Sequence, residues 1–252
     1  MVESITDNDR PQRLRSVDAF RGLTIVAMIL VNNPGSFKTT YRPLLHAEWH
    51  GWTPTDLVVP FFLFIVGVSI VLSLKQRVDS GEARRPLITK IVKRSLILFA
   101  LGLLLSGFPF GLFGPRSFAE LLDTWRIPGV LQRIAVCYLI VSLLVLHCRV
   151  RTLKILTIAF LVGYWALMTL VPVPGQGMPD IDDKGGHLAA WLDRAVFGDH
   201  VWRYAKVYDP EGLLSTIPAL ATTLFGVFAG LLLVARLDPF EMLSRFCLYG
   251  ST

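Results

Sequence analysis

The chain has 252 residues and a formal net charge of +6, but charged side chains make up only 17% of it and hydrophobic ones 53%. A soluble domain would carry about 25% charged residues, so these values argue against that class. The basic residues are not combined with an aromatic platform or a known binding motif, which argues against a nucleic-acid partner. The composition therefore predicts an integral membrane protein.

Long apolar runs recur along the chain, each about as long as a helix needs to cross the hydrocarbon layer of a bilayer. The runs are residues 22–31 with their flanks, 57–74, 95–113, 127–146, 155–173 and 213–235. This pattern predicts an all-α fold, a polytopic membrane bundle of about six transmembrane helices.

Basic residues precede the first run, but "VNNPGS" after it is not a signal-peptidase site, so an uncleaved first span is expected. Placing both termini in the cytoplasm leaves about twice as many Lys and Arg residues inside as outside, as the positive-inside rule requires. The predicted units are a cytoplasmic N-terminus (1–16), a transmembrane domain (17–235) and a cytoplasmic tail (236–252). The three cysteines do not form an extracellular disulfide framework.

Two charged positions lie within or beside the predicted spans. Arg133 falls in the middle of run 127–146, where a guanidinium costs several kcal/mol unless it meets a partner or a polar cavity. It marks either a functional polar interior or a structural ion pair between helices. Asp18 and Arg21 stand at the start of the first span, three residues apart, so they can face each other on one helical turn.

The segment of residues 172–212 is far longer than most connections between helices. It opens as an irregular, acidic stretch and continues as "HLAAWLDRAVFG", where apolar residues recur with helical spacing. We interpret this lid segment as an outer loop with a short amphipathic helix. A plain connecting loop is the alternative.

Polar residues gather at the predicted outer ends of the spans. They are Asn32, Asn33, His46, Glu48, His50, Asp56, Asp209 and Glu211. An imidazole titrates close to neutral pH and is suited to acid–base catalysis, although solvated loop histidines are common. His46 and His50 have the i, i+4 spacing of a metal-binding pair, but Gly51 and Pro54 favour a loop, so no metal is expected.

Four segments resemble the heparan-α-glucosaminide N-acetyltransferase family and its bacterial members. They are "RLRSVDAFRGLTIVAMILVNNPG", "LLHAEWHGWTPTDLVVPFFLFIVGVS", "IPGVLQRIAVCY" and "YDPEGLLSTIPALATTLFGVFAG". The resemblance implies a polytopic enzyme that moves acetyl from cytoplasmic acetyl-CoA to an amino sugar or glycan terminus across the membrane. It places the family's essential histidine on His46 and its active-site asparagine on Asn32.

The same resemblance matches the family's charged helix entrance to Asp18 and Arg21 and its intramembrane arginine to Arg133, which we expect beside the acetyl-CoA arm. His50 stands where the lysosomal member has an asparagine. The residues expected to support the substrate site are Asp18, Arg21, His50, Asp56, Asp209 and Glu211. The resemblance to bacterial members also implies a location in a bacterial inner membrane.

Family members carry further spans after the last motif, so the resemblance also implies that the tail is truncated. Two other interpretations stay open: a transporter for a small solute, and an inactive family member that acts as a membrane binding protein. Membrane lipids are expected partners, and a homo-oligomer is left open. The absence of a G-x-S-x-G elbow argues against a serine hydrolase.

Overall fold

The structure, a computed structural model, describes residues 15–36, 38–108, 110, 118–235 and 237–250. Within these ranges the chain forms α-helices joined by loops and two short 3-10 turns, with a single isolated β-bridge and no strand. The helices are α1 (Arg15–Asn32), α2 (Val58–Asp79), α3 (Arg84–Gly107), α4 (Phe118–Asp123), α5 (Val130–His147), α6 (Val150–Thr169), α7 (Leu188–Phe197), α8 (Thr216–Val234) and α9 (Pro239–Gly250). The all-α prediction is confirmed.

Four helical segments in the described part of the chain are long and apolar enough to cross a membrane, judged by length and composition. They are Pro54–Leu74, Val130–His147, Val150–Thr169 and Thr216–Val234. Helices α1 and α3 have 18 and 24 residues. Both are long enough to cross a membrane, but charged residues in their first turns lower their mean hydropathy.

The bundle is built around α8, which packs against α2, α5 and α6, while α3 packs against α5 and α1 against α2. Glycines allow α2 and α8 to approach closely. A Cβ atom added to Gly226 would lie 2.0 Å from the carbonyl oxygen of Phe64, and one on Gly67 would lie 2.0 Å from that of Thr223. Close backbone approach through small residues is a common way for helices to associate in membranes.

Two predicted spans differ in extent from the observed helices. Helix α5 begins at Val130, because Pro128 and Gly129 interrupt the apolar run with extended backbone. The placement of Arg133 at mid-span is therefore wrong: it lies in the first turn of α5. Helix α3 ends at Gly107, short of the predicted end at residue 113.

Some predictions fall on residues outside the described ranges. These are most of the basic N-terminal segment, residues 109 and 111–113 of the third run, and the basic residues at positions 116 and 236. The predicted amphipathic helix of the lid segment is confirmed as α7. The turn between α2 and α3 contains Gly81 at a φ of +77°, a conformation that favours glycine.

Successive long helices run antiparallel, which brings three stretches to one end of the bundle. These are residues 38–57, 124–129 and 170–215, and we call this end the loop end. Side-chain contacts join all three stretches there, including the hydrogen bond from Trp49 Nε1 to the Ile181 carbonyl (2.7 Å) and the ion pair of Arg126 with Asp209. The polar residues singled out in the sequence lie mainly at this end.

Candidate functional site

His46 forms a close pair with Asp56 at the loop end. Its Nδ1 atom lies 2.6 Å from Oδ1 of Asp56. Because an ionised carboxylate only accepts hydrogen bonds, this contact places the proton of a neutral His46 on Nδ1. Nε2 is then left with a free lone pair, and the side chain is 67% exposed. This is an imidazole that one partner orients and that a substrate can reach.

The Asp56 carboxylate is itself fixed by the loop that it closes. Its Oδ2 atom accepts hydrogen bonds from the backbone N–H groups of Thr53 (2.8 Å) and Ala47 (3.1 Å). The Thr53 hydroxyl donates to the Leu45 carbonyl at 2.6 Å. Residues 45–57, which we call the His46 loop, are thereby held in a defined shape before α2 begins. The sequence-based expectation of a loop rather than a helix at His46 and His50 is confirmed.

The lid segment contacts the His46 loop through Trp49 and His50. The Trp49 ring stacks on His187 with centroids 5.6 Å apart and an interplanar angle of 13°, and Tyr208 meets it edge-on at 5.3 Å. His50 Nε2 lies 2.9 Å from Oδ1 of Asp182, and both side chains are exposed. The lid segment therefore lies beside the residues that flank His46.

Arg126 binds two of the predicted site carboxylates. It donates from Nε and Nη2 to Asp209 at 2.9 and 2.5 Å, and Nη2 also donates to Glu211. Burial opposes the charge on Arg126, but its hydrogen bonds to Asp209 and Glu211 and the negative charges of these carboxylates together more than offset this effect, so the pKa of Arg126 lies above its ordinary value. The Asp209 carboxylate also accepts from the backbone N–H of Trp202 at 2.8 Å and is fully buried.

Arg133 is held by the chain that precedes α8. Its Nη2 donates to the carbonyl oxygens of Pro210 (2.8 Å) and Gly212 (3.4 Å) and to the hydroxyl of Ser215. Its Nε–H is buried and finds no hydrogen-bond partner among the described residues. The guanidinium thus joins α5 to the start of α8 and retains one donor for another group.

The remaining predicted residues occupy different parts of α1. Asn32 ends this helix, exposed and without a side-chain hydrogen bond to any described residue. Arg21 lies 3.5 Å from Asp18, as the spacing predicted, and donates to the Ser69 hydroxyl of α2 at 2.7 Å. Asp18 is 14 residues before Asn32, about 21 Å along the helix axis, so the Asp18–Arg21 pair does not lie at the loop end.

Three residues that sequence reasoning missed hold the loop end together: Arg126, His187 and Asp193. Arg126 precedes the interrupted start of α5. His187 caps α7 by accepting from the Ala190 N–H at 3.1 Å, and burial lowers its pKa. Asp193 and Arg194 are the two charged residues of α7, and the position of Asp193 on the same helix face as Ala189 and Ala190 is the signal that could have identified it.

The structure brings together no group of three or more His, Cys, Asp or Glu side chains suited to a metal ion within the described ranges. The loop end therefore presents an oriented imidazole, an exposed imidazole–carboxylate pair, a terminal amide on α1 and a buried ionic cluster. An imidazole with a free nitrogen and an orienting carboxylate can act as a general base or as a nucleophile.

A family model described as the catalytic part of heparan-alpha-glucosaminide N-acetyltransferase matches residues 13–246. The heparan-alpha-glucosaminide N-acetyltransferase of Homo sapiens is 36% identical over 287 aligned residues, covering 95% of this chain and 42% of the human protein. That of Mus musculus is 34% identical over 292 residues, covering 97% and 43%. The chain spans less than half the length of these curated relatives. It belongs to the heparan-α-glucosaminide N-acetyltransferase family.

Proposed function

We propose that the chain is a transmembrane acetyltransferase that moves the acetyl group of cytoplasmic acetyl-CoA to an amino sugar on the other side of the membrane. The observation that carries the proposal is the His46–Asp56 pair, with Nδ1 and Oδ1 2.6 Å apart, in a chain of this family. Both relatives are named as N-acetyltransferases of an α-glucosaminide, and the acceptor proposed here is of the same chemical class.

The orientation that we propose places the loop end outside and both chain ends in the cytoplasm of a bacterial inner-membrane protein. Six long helices (α1, α2, α3, α5, α6 and α8) then cross the bilayer, and α9 lies at the inner surface. Lys90, Lys93 and Arg94 in the first half of α3 and Arg149 and Arg151 between α5 and α6 lie on the inner side. This distribution follows the positive-inside rule.

His46 would take the proton that the acceptor amine must lose. Asp56 holds Nδ1–H, so Nε2 accepts the proton as the amine nitrogen attacks the thioester carbonyl carbon. The carbon–sulfur bond then breaks, the proton passes from Nε2 to the departing CoA thiolate, and the products are an N-acetyl sugar and CoA. In a second route, Nε2 attacks the thioester carbonyl carbon and the carbon–sulfur bond breaks, which releases the CoA thiolate. The amine then takes the acetyl group from Nε2, and the proton that the amine loses passes to the thiolate.

The developing negative charge on the carbonyl oxygen requires a hydrogen-bond donor. We assign this role to the Asn32 amide, which is exposed at the end of α1 and has no side-chain hydrogen bond to a described residue. The donor's narrow pantetheine arm would reach the loop end between helices. The unpartnered Arg133 Nε–H supports a contact with that arm, since a buried N–H without a partner is costly.

The acceptor would bind between the His46 loop and the lid segment. His50 and Asp182 are both exposed there, 2.9 Å apart, and offer groups for hydroxyl or ammonium recognition. Asp209 and Glu211 support this region through Arg126. In the same proposal, Asp18 and Arg21 organise the inner half of α1 against α2.

The test uses the full chain in nanodiscs with labelled acetyl-CoA and glucosamine. It compares the unmodified chain with His46→Ala and with His147→Ala. His147 is the last residue of α5, at the end of the bundle away from the loop end, so its replacement is a matched control. N-acetylglucosamine should form with the unmodified chain and with His147→Ala, but not with His46→Ala. Transfer that survives His46→Ala would contradict the assigned base, and an unmodified chain that neither binds acetyl-CoA nor forms product would contradict the proposed function.

A further inference from the structure

Asp193 is a buried carboxylate on the face of lid helix α7 that packs against the rest of the protein. The residue is 1% exposed, and no Lys or Arg side chain of the described ranges lies within ion-pair distance of it. Its Oδ1 atom accepts from the Leu213 N–H at 3.0 Å, and Oδ2 accepts from the Asp209 N–H at 3.3 Å. A buried carboxylate depends strongly on such bonds, because burial removes its hydration.

These two bonds attach α7 to residues 208–215, which we call the junction segment. The contact is tight: a Cβ atom added to Gly212 would lie 2.0 Å from Asp193 Oδ2. The carbonyls of Pro210 and Gly212 in the same segment face Arg133. Asp193 therefore fixes the N–H side of a short stretch of backbone whose carbonyl side holds the Arg133 guanidinium.

The junction segment also reaches the His46 loop. Tyr208, next to Asp209, lies edge-on against Trp49 at 5.3 Å, and Trp49 is three residues after His46. Trp49 is bonded in turn to the Ile181 carbonyl of the lid segment. One continuous set of contacts thus runs from Asp193 through Tyr208 and Trp49 to the loop that carries the proposed base.

We propose that Asp193 is a positioning residue for acceptor binding: by fixing the junction segment, it holds Tyr208 against Trp49 and so sets the position of the His46 loop relative to the lid. This inference rests on the proposed acetyl transfer for its kinetic consequence. Asp193 contacts neither the reacting atoms nor the donor. Its loss should therefore weaken use of the acceptor. Use of acetyl-CoA should change much less, because Arg133 keeps its contact with the Ser215 hydroxyl at the start of α8.

The experiment compares Asp193→Asn with Asp199→Asn in the full chain in nanodiscs. Asp199 is an exposed carboxylate just after α7, which makes it a matched control. Asn at 193 retains one acceptor but turns an NH2 group towards a backbone N–H. We expect the KM for the amino sugar to rise about three- to tenfold, as for the loss of one hydrogen bond of ordinary strength. The KM for acetyl-CoA should stay within about twofold of that of the unmodified chain.

Hydrogen–deuterium exchange supplies a readout that does not require transfer activity. Asp193→Asn should speed exchange in both the junction segment and the His46 loop, whereas Asp199→Asn should change neither. Tyr208→Leu, which interrupts the contacts further along, should speed exchange in the His46 loop while α7 stays protected. This second variant keeps the test decisive if Asp193→Asn folds poorly.

Equal exchange of the His46 loop in Asp193→Asn and Asp199→Asn, or an unchanged loop in Tyr208→Leu, would overturn the positioning role. So would a parallel rise in the KM values for donor and acceptor. Failure of the proposed function looks different: the unmodified chain would transfer no acetyl group, while the exchange comparison would still decide whether Asp193 positions the loop.

Discussion

Two pairs at the loop end, His46–Asp56 and Arg126–Asp209, differ in which atoms they leave free to react. In the His46–Asp56 pair, one imidazole nitrogen is occupied and the other faces outwards from a side chain that is 67% exposed. In the Arg126–Asp209 pair, the carboxylate is 0% exposed and accepts from two guanidinium nitrogens and from backbone N–H groups. Both pairs join a basic side chain to a carboxylate, yet only the His46–Asp56 pair retains an accessible reactive atom, Nε2 of His46.

This difference suits the His46–Asp56 pair to catalysis and the Arg126–Asp209 pair to stabilising the fold, although both lie at the same end of the bundle. A permanent guanidinium charge in a partly buried place must be surrounded by acceptors, and those acceptors are then unavailable to a ligand. An imidazole can stay neutral, so one carboxylate orients it without consuming its second nitrogen. Removing a partner from each pair should consequently damage different properties of the protein.

The largest effect is expected for Asp56→Asn, a change in the exposed pair. An asparagine that keeps its backbone contacts turns an NH2 or a weaker acceptor towards His46 and no longer favours the Nδ1–H tautomer. By analogy with orienting carboxylates in catalytic triads, kcat should fall by about two to four orders of magnitude. This fall in kcat is measured from the steady-state rate at which labelled acetyl is transferred to glucosamine.

The control is Thr53→Ala, which removes the hydroxyl contacts of the same loop but keeps the Asp56 carboxylate and the Thr53 N–H. Its kcat should fall by less than about tenfold, the effect of a single neutral hydrogen bond. Similar losses in both variants would show that Asp56 acts only by shaping the loop.

A change in the buried pair, Arg126→Met, should act on stability instead. It leaves Asp209 buried without its cation, a situation that costs about 3–5 kcal/mol. Denaturant unfolding in detergent should show this loss. Arg203→Met is the matched change at an exposed arginine that contacts the hydroxyl and the ring of the neighbouring Tyr204, and it should shift the free energy of unfolding by less than about 0.5 kcal/mol. Equal shifts would mean that the Arg126 cluster is not a stabilising anchor.

The contrast also explains which features could be predicted from the sequence. Apolar runs identify long helices because burial in lipid requires continuous hydrophobic segments, and a loop at His46 follows from Gly51 and Pro54. The Asp18–Arg21 contact follows from helical periodicity alone. These features depend on residues that are close together in the chain, so the sequence pattern is enough to predict them.

The pairing of Arg126 with Asp209 could not be predicted in this way, because it joins residues 83 positions apart through the tertiary arrangement of two loops. The buried face of α7 is another example: Ala189, Ala190 and Asp193 are buried, whereas Val196 on the apolar stripe is 56% exposed. Helical periodicity gives the faces of a helix, but the elements beside it decide which one is buried. The sequence placed Arg133 at mid-span, whereas in the structure it lies in the first turn of α5. The difference arises because Pro128 and Gly129 delay the start of the helix.

The smallest expected effect concerns the pH dependence of the lid, through His187. Its Nδ1 accepts the Ala190 N–H only when unprotonated, and burial, reinforced by the nearby Arg194 charge, lowers its pKa from the ordinary value of 6.5. The unfolded lid therefore binds a proton more readily than the folded lid. Anchoring of α7 is complete above about pH 6.5 and weakens as the pH falls from there through the lowered pKa.

The loss should be about 1 kcal/mol, the usual contribution of a helix N-cap. Exchange protection of α7, corrected for the intrinsic pH dependence of exchange, measures it. In His187→Asn the asparagine still caps the helix but does not titrate, so protection should stay level across the same pH range. A parallel decline in both proteins would assign the pH dependence to another group, with Asp183, which opposes the shift of His187, as the next to replace. A decline confined to the unmodified chain would show that a buried, capping imidazole makes the lid sensitive to acid while the exposed His46 remains available for chemistry.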